Sequence, residues 1–357
     1  MKKFTKTLIS TAVVTAAVAS IPATAQAEKK VLLKTPVAYG THLPSLGSPI
    51  KGVSERLSKI SNGTMKMKVY EPNKLVAPAE ILDAVSSGKV NSGYAISGLW
   101  QGKIPAASLF ASVPFGPEAS EYLAWMYNGN GRALWQEMYD THGYNVHTMP
   151  CAVNPPETSG WFSKPIEKPE DLDGLTMRFF GLGAKVMEKL GVGTVQLPGG
   201  EIFGALEKGA IDATEFSQPA IDKMLGLHKI AKYNYFPGWH QQATVFELLI
   251  NKDTWAKMSP GQQATLNTTC KASMTQSVAE GEYSQFDVMA KSKENGVQIR
   301  YWSKEMLDTF ESKWLEVAAE KSAADPFFKK VWDDMSTFRS GYELWEANAF
   351  LPRAQHN

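Results

Sequence analysis

Cysteine, histidine and long apolar runs are all scarce in this chain. Only two of its 357 residues are cysteine, Cys151 and Cys270, so it has no disulfide scaffold of the kind that holds small secreted domains together. The pair lacks Cys-x-x-Cys spacing and neither has an adjacent histidine, which removes the signature of a thiolate nucleophile. Sequence separation does not show whether the two approach within bridging distance. The six histidines, His42, His142, His147, His228, His240 and His356, are scattered without the spacing of a zinc site. There is no Gly-x-Ser-x-Gly elbow, no Walker-type phosphate loop and no His-Glu-x-x-His. The turn Gly181-Leu182-Gly183 lacks the third glycine of a dinucleotide fingerprint.

Charge of one sign is missing too. Lys2, Lys3 and Lys6, an apolar run from Leu8 to about Ile21, and Ala25-Gln26-Ala27 together read as a cleaved secretory signal over residues 1–27. Removing it leaves 330 residues and, with three lysines and no acid lost, takes the formal charge from +1 to −2. Such a chain offers nucleic acid no electrostatic footprint. No stretch after residue 27 reaches the roughly 18 apolar residues of a membrane span. The expectation is a soluble exported protein of the periplasm, long enough for two lobes.

What is present is α/β. Val31–Pro36 reads as a strand, Ser48 to Ile60 as a helix with proline in its first turn, and Met65–Tyr70 as a strand. Two stretches resemble each other, Glu80 to Asn91 and Glu201 to Asp212; each reads as a short helix stopped by glycine and followed by a strand. This places Tyr94 opposite Glu215. From Leu175 to Glu215 the pattern is βαβαβ, which implies a parallel sheet with ligands beyond the C-terminal strand ends. Ala243–Asn251 reads as a buried return strand, and Ser259, Pro260 and Gln262 as the cap of a long helix running to about Ser292. Lys304 to Ala319 and Phe327 to Trp345 follow as amphipathic helices. The domains expected are a first lobe over 28–150 plus about 243–300, a second over 151–242, and a helical region over 301–357.

The informative side chains are polar ones in apolar company. Arg178, between Met177 and Phe179-Phe180 at a strand end, has the planar fork that receives a carboxylate. Glu215 precedes Phe216 at another strand end, Glu247 interrupts a strand otherwise suited to burial, and Glu157 lies in a Pro- and Gly-rich loop before Trp161-Phe162. Facing one cleft with a monocarboxylate, the four would carry three net negative charges. A hard divalent cation, a ligand ammonium group or protonation of one acid would offset them.

Gly160-Trp161-Phe162-Ser163-Lys164-Pro165-Ile166, Leu172 to Arg178, and Leu197-Pro198-Gly199-Gly200-Glu201 continuing to Phe216 resemble the extracytoplasmic solute-binding proteins of tripartite ATP-independent periplasmic (TRAP) transporters. The likeness is to the branch that binds 2-oxo and 2-hydroxy acids with a metal ion. It implies a two-lobed binding-protein fold with an interlobe cleft, hinge strands and a long lobe-spanning helix. It also implies partnership with small and large membrane subunits, and in some relatives a homodimer. Carried onto this sequence, Arg178 grips the substrate carboxylate, while Glu157, Glu215, the Phe216 carbonyl and Glu247 hold the metal. Independently of the likeness, Tyr39, Tyr94, Trp100, Phe180, Phe216 and Trp239 lie in or beside the expected strand-end loops, where their rings can shield a cation and wall the pocket that Glu157 and Glu247 also face. Glu157 and Phe216 depart from the branch, where Gln and Trp are common, and the added negative charge favours calcium over sodium, or a ligand ammonium in place of metal. The alternatives are metal-free binding of an amino-bearing acid by the same type of transporter, and an exported enzyme acting on a small carboxylate.

Overall fold

The computed structural model describes residues 29–351, so the expected signal at 1–27 lies outside the described residues. Within them, the strands are β1 (Val31–Pro36), β2 (Met65–Tyr70), β3 (Ser92–Ala95), β4 (Val146–Asn154), β5 (Gly160–Phe162), β6 (Thr176–Arg178), β7 (Gly193–Val195), β8 (Ala213–Thr214), β9 (Tyr233–Phe236), β10 (Thr244–Asn251) and β11 (Gln298–Tyr301). No helix among the described residues is long and apolar enough to cross a membrane.

The first lobe is built on β3-β10-β4, with the parallel pair β1-β2 joined to it by a bridge between Val37 and Tyr94. Helix Ser48–Ile60 buries Ile50, Val53 and Leu57, spaced three and four apart on one face. All eight residues of β10 are buried, because the strand is paired on both edges and covered on both faces.

The second lobe carries the sheet β11-β9-β5-β8-β6-β7. The βαβαβ unit is present, with helices Gly181–Glu188 and Gly199–Glu207 linking β6, β7 and β8, and with β6 parallel to both neighbours. The sheet as a whole is mixed, since β5 runs antiparallel to β8 and β9. The two similar stretches end alike: Gly88 and Gly209 adopt φ of 78° and 67°, a left-handed conformation that stops a helix with no Cβ penalty.

Three segments cross between lobes. The loop from β4 to β5 enters the second lobe, the loop from β9 to β10 returns, and helix Pro260–Tyr283 leads across again. That helix begins with the expected capping box at Ser259 and Gln262. It ends earlier than expected, at Tyr283, and a short helix Phe286–Ala290 continues in a new direction. The break lets Gln285 accept a 2.9 Å hydrogen bond from the Ala220 amide while donating to the Gly281 carbonyl. A disulfide joins Cys151 of β4 to Cys270 of this helix. β11 pairs with β9, so the chain is back in the second sheet by residue 298. Helix Lys304–Ala324 then packs on Gly181–Glu188, and Pro326–Ala349 packs on first-lobe helices.

Candidate functional site

Four chain segments meet between the lobes. Arg178 ends β6, and Glu215 follows β8, the strand beside it; the Glu215 amide donates to the Arg178 carbonyl at 3.1 Å. Glu157 stands in the β4–β5 crossing and His240 in the β9–β10 crossing. The two crossings touch, with the Glu157 amide donating to the Gln241 carbonyl at 3.3 Å. Gly238 makes the approach feasible, since a Cβ there would lie 2.1 Å from the Glu157 carbonyl oxygen. A small cavity of about 20 Å³ lies against them. Tyr39, Leu46 and Ile96 face it from the first lobe and Arg178, Phe180 and Phe216 from the second, with Gln241, Thr244 and Phe246 at the entry of β10.

The Arg178 guanidinium is buried. Its Nη1 donates at 2.7 Å both to Glu215 Oε1 and to the Glu215 carbonyl, and its Nε donates to the Leu197 carbonyl at 3.2 Å. It also lies over the Phe216 ring, 5.3 Å from the centroid. Glu215 Oε1 accepts a further bond from the Phe180 amide. Glu157 Oε1 accepts from Asn154 Nδ2 at 2.8 Å and from Ser217 Oγ at 3.1 Å, and Asn154 in turn accepts from Ser45 Oγ. A polar chain therefore runs from the first lobe through Glu157 to the second.

Beyond these bonds, Glu157 Oε2, Glu215 Oε2 and both ring nitrogens of His240 are buried without a hydrogen-bond partner. One donor atom from each of the three residues falls within 4.8 Å of the others. Burial pushes both carboxyl groups up, Glu157 well above its ordinary range with the charge of Glu215 adding to it, while Arg178 limits the rise at Glu215. Burial, with Arg178 nearby, pulls the His240 imidazole down to about 3, so it is neutral. Orphaned carboxylate oxygens and a neutral imidazole form a donor set that fits a divalent cation.

Other expected residues stand elsewhere. Glu247 does not join the cluster: it shares a face of β10 with Val245 and Leu249, opposite Phe246, and accepts bonds from Tyr139 Oη at 2.8 Å and Thr148 Oγ1 at 2.7 Å. This corrects its expected place in the cleft, because residues alternate along a strand and Phe246 takes the cavity side. Trp100 belongs to the Glu247 network, donating from Nε1 to Tyr139 Oη at 2.9 Å. Trp239 is core, stacked on Phe310 and Phe115. Tyr94 lies one layer behind the cavity, stacked on Phe246 and donating to the Leu46 carbonyl. Tyr39, Phe180 and Phe216 do reach the cavity. His240 and Gln241 are not among the individually expected site groups, although the run Trp239-His240-Gln241-Gln242 before the return strand reads as hinge and pocket in the sequence. Their one local signal was a polar run, His240-Gln241-Gln242, directly before a strand suited to burial.

The family model described as bacterial extracellular solute-binding protein, family 7 (DctP) matches residues 45–324. The chain is 34% identical over 304 residues, 84% of its length and 83% of the relative's, to a monocarboxylate 2-oxoacid-binding periplasmic protein of Nostoc sp.. Among solved structures, it is similar to a TRAP transporter solute-binding protein of Bordetella bronchiseptica, a mixed-occupancy dimer with copurified calcium and picolinate in one site. That match has 28% identity and a TM-score of 0.87, covering 90% of this chain and 95% of the other. It is likewise similar to a TRAP periplasmic solute-binding protein of Pseudoalteromonas atlantica with bound sodium and pyruvate, at 28% identity and a TM-score of 0.85, covering 90% and 97%.

Proposed function

Because the chain belongs to family 7 of the bacterial extracellular solute-binding proteins, we propose that it captures a small 2-oxo or 2-hydroxy monocarboxylate in the periplasm and delivers it to the small and large membrane subunits of a TRAP transporter. The observation that carries this reading is the convergence of the buried Arg178 guanidinium with the unpartnered oxygens of Glu157 and Glu215. Arg178 holds the ligand carboxylate through the part of its fork not engaged with Glu215 and Leu197. Glu157, Glu215 and the Phe216 carbonyl would hold a cation, which supplies positive charge beside the ligand oxygens. Tyr39, Phe180 and Phe216 enclose the organic remainder.

Charge selects among cations. One guanidinium against two carboxylates leaves one negative charge, and a bound monocarboxylate makes it two. A divalent ion neutralises the closed site and sodium does not, so calcium is the ion proposed. Binding, with no bond made or broken, stabilises the state in which the lobes are closed. The lobes turn about the β4–β5 and β9–β10 crossings. A homodimer, as in the Bordetella protein, is compatible with this role.

Calorimetric titration with pyruvate, in calcium and in chelator, tests the reading. Binding should require calcium. Arg178→Lys keeps the charge but loses the fork; losing one charge-assisted hydrogen bond, about 1.5–3 kcal/mol, should weaken binding roughly 10- to 150-fold. Equal affinity in the variant would remove Arg178 from the site. A copurified ammonium compound with no metal, seen by native mass spectrometry and elemental analysis, would replace the proposed ligand class.

A further inference from the structure

One buried side chain outside the cavity joins both lobes and the spanning helix. Gln218 precedes the second-lobe helix Pro219–Met224, is 2% exposed, and does not line the cavity. Its Oε1 accepts from Ser45 Oγ of the first lobe at 3.3 Å, and from Gln285 Nε2, just past the end of helix Pro260–Tyr283, at 3.2 Å. Its Nε2 donates to the Pro156 carbonyl of the β4–β5 crossing at 3.3 Å. Gln285 grips the second lobe a second time, accepting from the Ala220 amide at 2.9 Å. Glycine at 281 lets the helix come this near, since a Cβ there would lie 2.5 Å from Pro155 Cδ. The first-lobe side is held as firmly. Ser45 is fully buried with φ of 53°, a left-handed backbone that a residue with a side chain rarely adopts and that persists only where its surroundings fix it. Glu280 of the spanning helix does so: its Oε2 accepts from the Ser45 amide at 3.2 Å and from Ser48 Oγ at 2.7 Å. This carboxylate stands at the start of helix Ser48–Ile60, which has no side-chain N-cap of its own and favours negative charge there.

We propose that Gln218, fastened by Ser45 and Gln285, is a positioning residue for capture: it latches the lobes in the closed state and sets how long ligand stays, without touching ligand. The proposal rests on the reading of the interlobe cleft as the ligand site, and is independent of which cation or acid fills it. Ser45 and Gln218 belong to different lobes, so their bond exists only while the lobes are together. A contact made in the closed state alone shifts the equilibrium towards closure and leaves the open state, which ligand enters, as it was. Its loss is therefore read in the dissociation rate. Ser45 Oγ has one proton for both Asn154 Oδ1 and Gln218 Oε1, so that bond is shared, and the Gln285 bond completes the latch.

Association of radiolabelled pyruvate in calcium, and its release into excess unlabelled pyruvate, give the two rates for wild type and variants. Gln218→Met keeps the length of the side chain and loses its amide. It should raise the dissociation rate about 5-fold or more and leave association within about 2-fold. Gln285→Met, at a half-buried position, should act in the same direction, and the double variant should fall short of the product of the two because they share one bond. An unchanged dissociation rate in Gln218→Met overturns the proposal, whether or not association slows. Should that variant fail to fold, Gln285→Met decides by the same two rates. If wild type takes up no pyruvate, the ligand reading falls, and small-angle scattering of the ligand-free proteins judges the latch by itself. A larger radius of gyration for Gln218→Met than for wild type then supports it, and equal radii overturn it.

Discussion

Glu247 illustrates how one residue can look functional and be structural. A carboxylate inside an apolar strand must be paired, hydrated or protonated, and here Tyr139 and Thr148 serve it in a pocket closed to solvent. Burial raises its carboxyl from 4.5 to about 8. The folded chain therefore holds this proton more tightly than the unfolded chain does, so stability is greatest below about 4.5 and falls as pH rises towards 8. The loss is up to about 1.4 kcal/mol per pH unit for one such group. Glu247→Gln should flatten this fall in melting temperature across the same window and leave pyruvate binding unchanged. A weaker ligand affinity in the variant would return Glu247 to the site. Glu157, Glu215 and Asp222 are shifted the same way, so part of the slope remains. The acid was visible in the sequence, and so was the alternation that allows only one of Phe246 and Glu247 to face the cleft. Arg178 and Glu215 were legible for a firmer reason: both close parallel strands of one βαβαβ unit, where local pattern dictates neighbourhood.

At the scale of elements, β4 and helix Pro260–Tyr283 are the pair to watch. β4 leads straight into the Glu157 crossing, and the helix is itself the third connection between lobes. The disulfide between Cys151 and Cys270 fastens them across 119 residues of sequence, and both cysteines are buried. Loss of a native disulfide of this kind typically costs about 2–5 kcal/mol, chiefly by releasing the unfolded chain. The double variant Cys151→Ser with Cys270→Ser should lose stability in that range in urea unfolding, and reductant should have no further effect on it. Stability equal to wild type would mean that the bridge adds nothing. The helix start was readable because Ser259, Pro260 and Gln262 act over one turn. Its early end was not, since Gln285 turns toward Ala220, a residue distant in sequence.

For the whole molecule, the decisive quantity is the size of the cavity. The cavity is small, about 20 Å³, so entry of a carboxylate calls for the walls to part. The walls belong to different lobes, and the polar chain from Ser45 through Asn154 and Glu157 to Ser217 runs between them. Small-angle scattering should give a larger radius of gyration for the ligand-free, chelator-treated protein than for the same protein with calcium and pyruvate. Identical profiles would mean that the ligand enters without lobe movement. Against the expected lobe limits, β4 stays in the first sheet to Asn154 and β11 joins the second sheet at Gln298.

The sequence alone determined the opening strand-helix-strand order, the βαβαβ unit from Leu175 to Glu215, the buried return strand, the repeated glycine-stopped helices, the start of the capped spanning helix and the passages that carry the family likeness. These follow from caps, turns and periodicities that act over a few residues. Tertiary structure decided that Cys151 meets Cys270, that Glu247 turns away from the cleft, and that His240 stands beside Glu215. Each depends on which crossing lies against which strand end. That is set by sheet register and by close approaches such as Gly238 on Glu157, between residues too far apart in the chain for any local pattern to link.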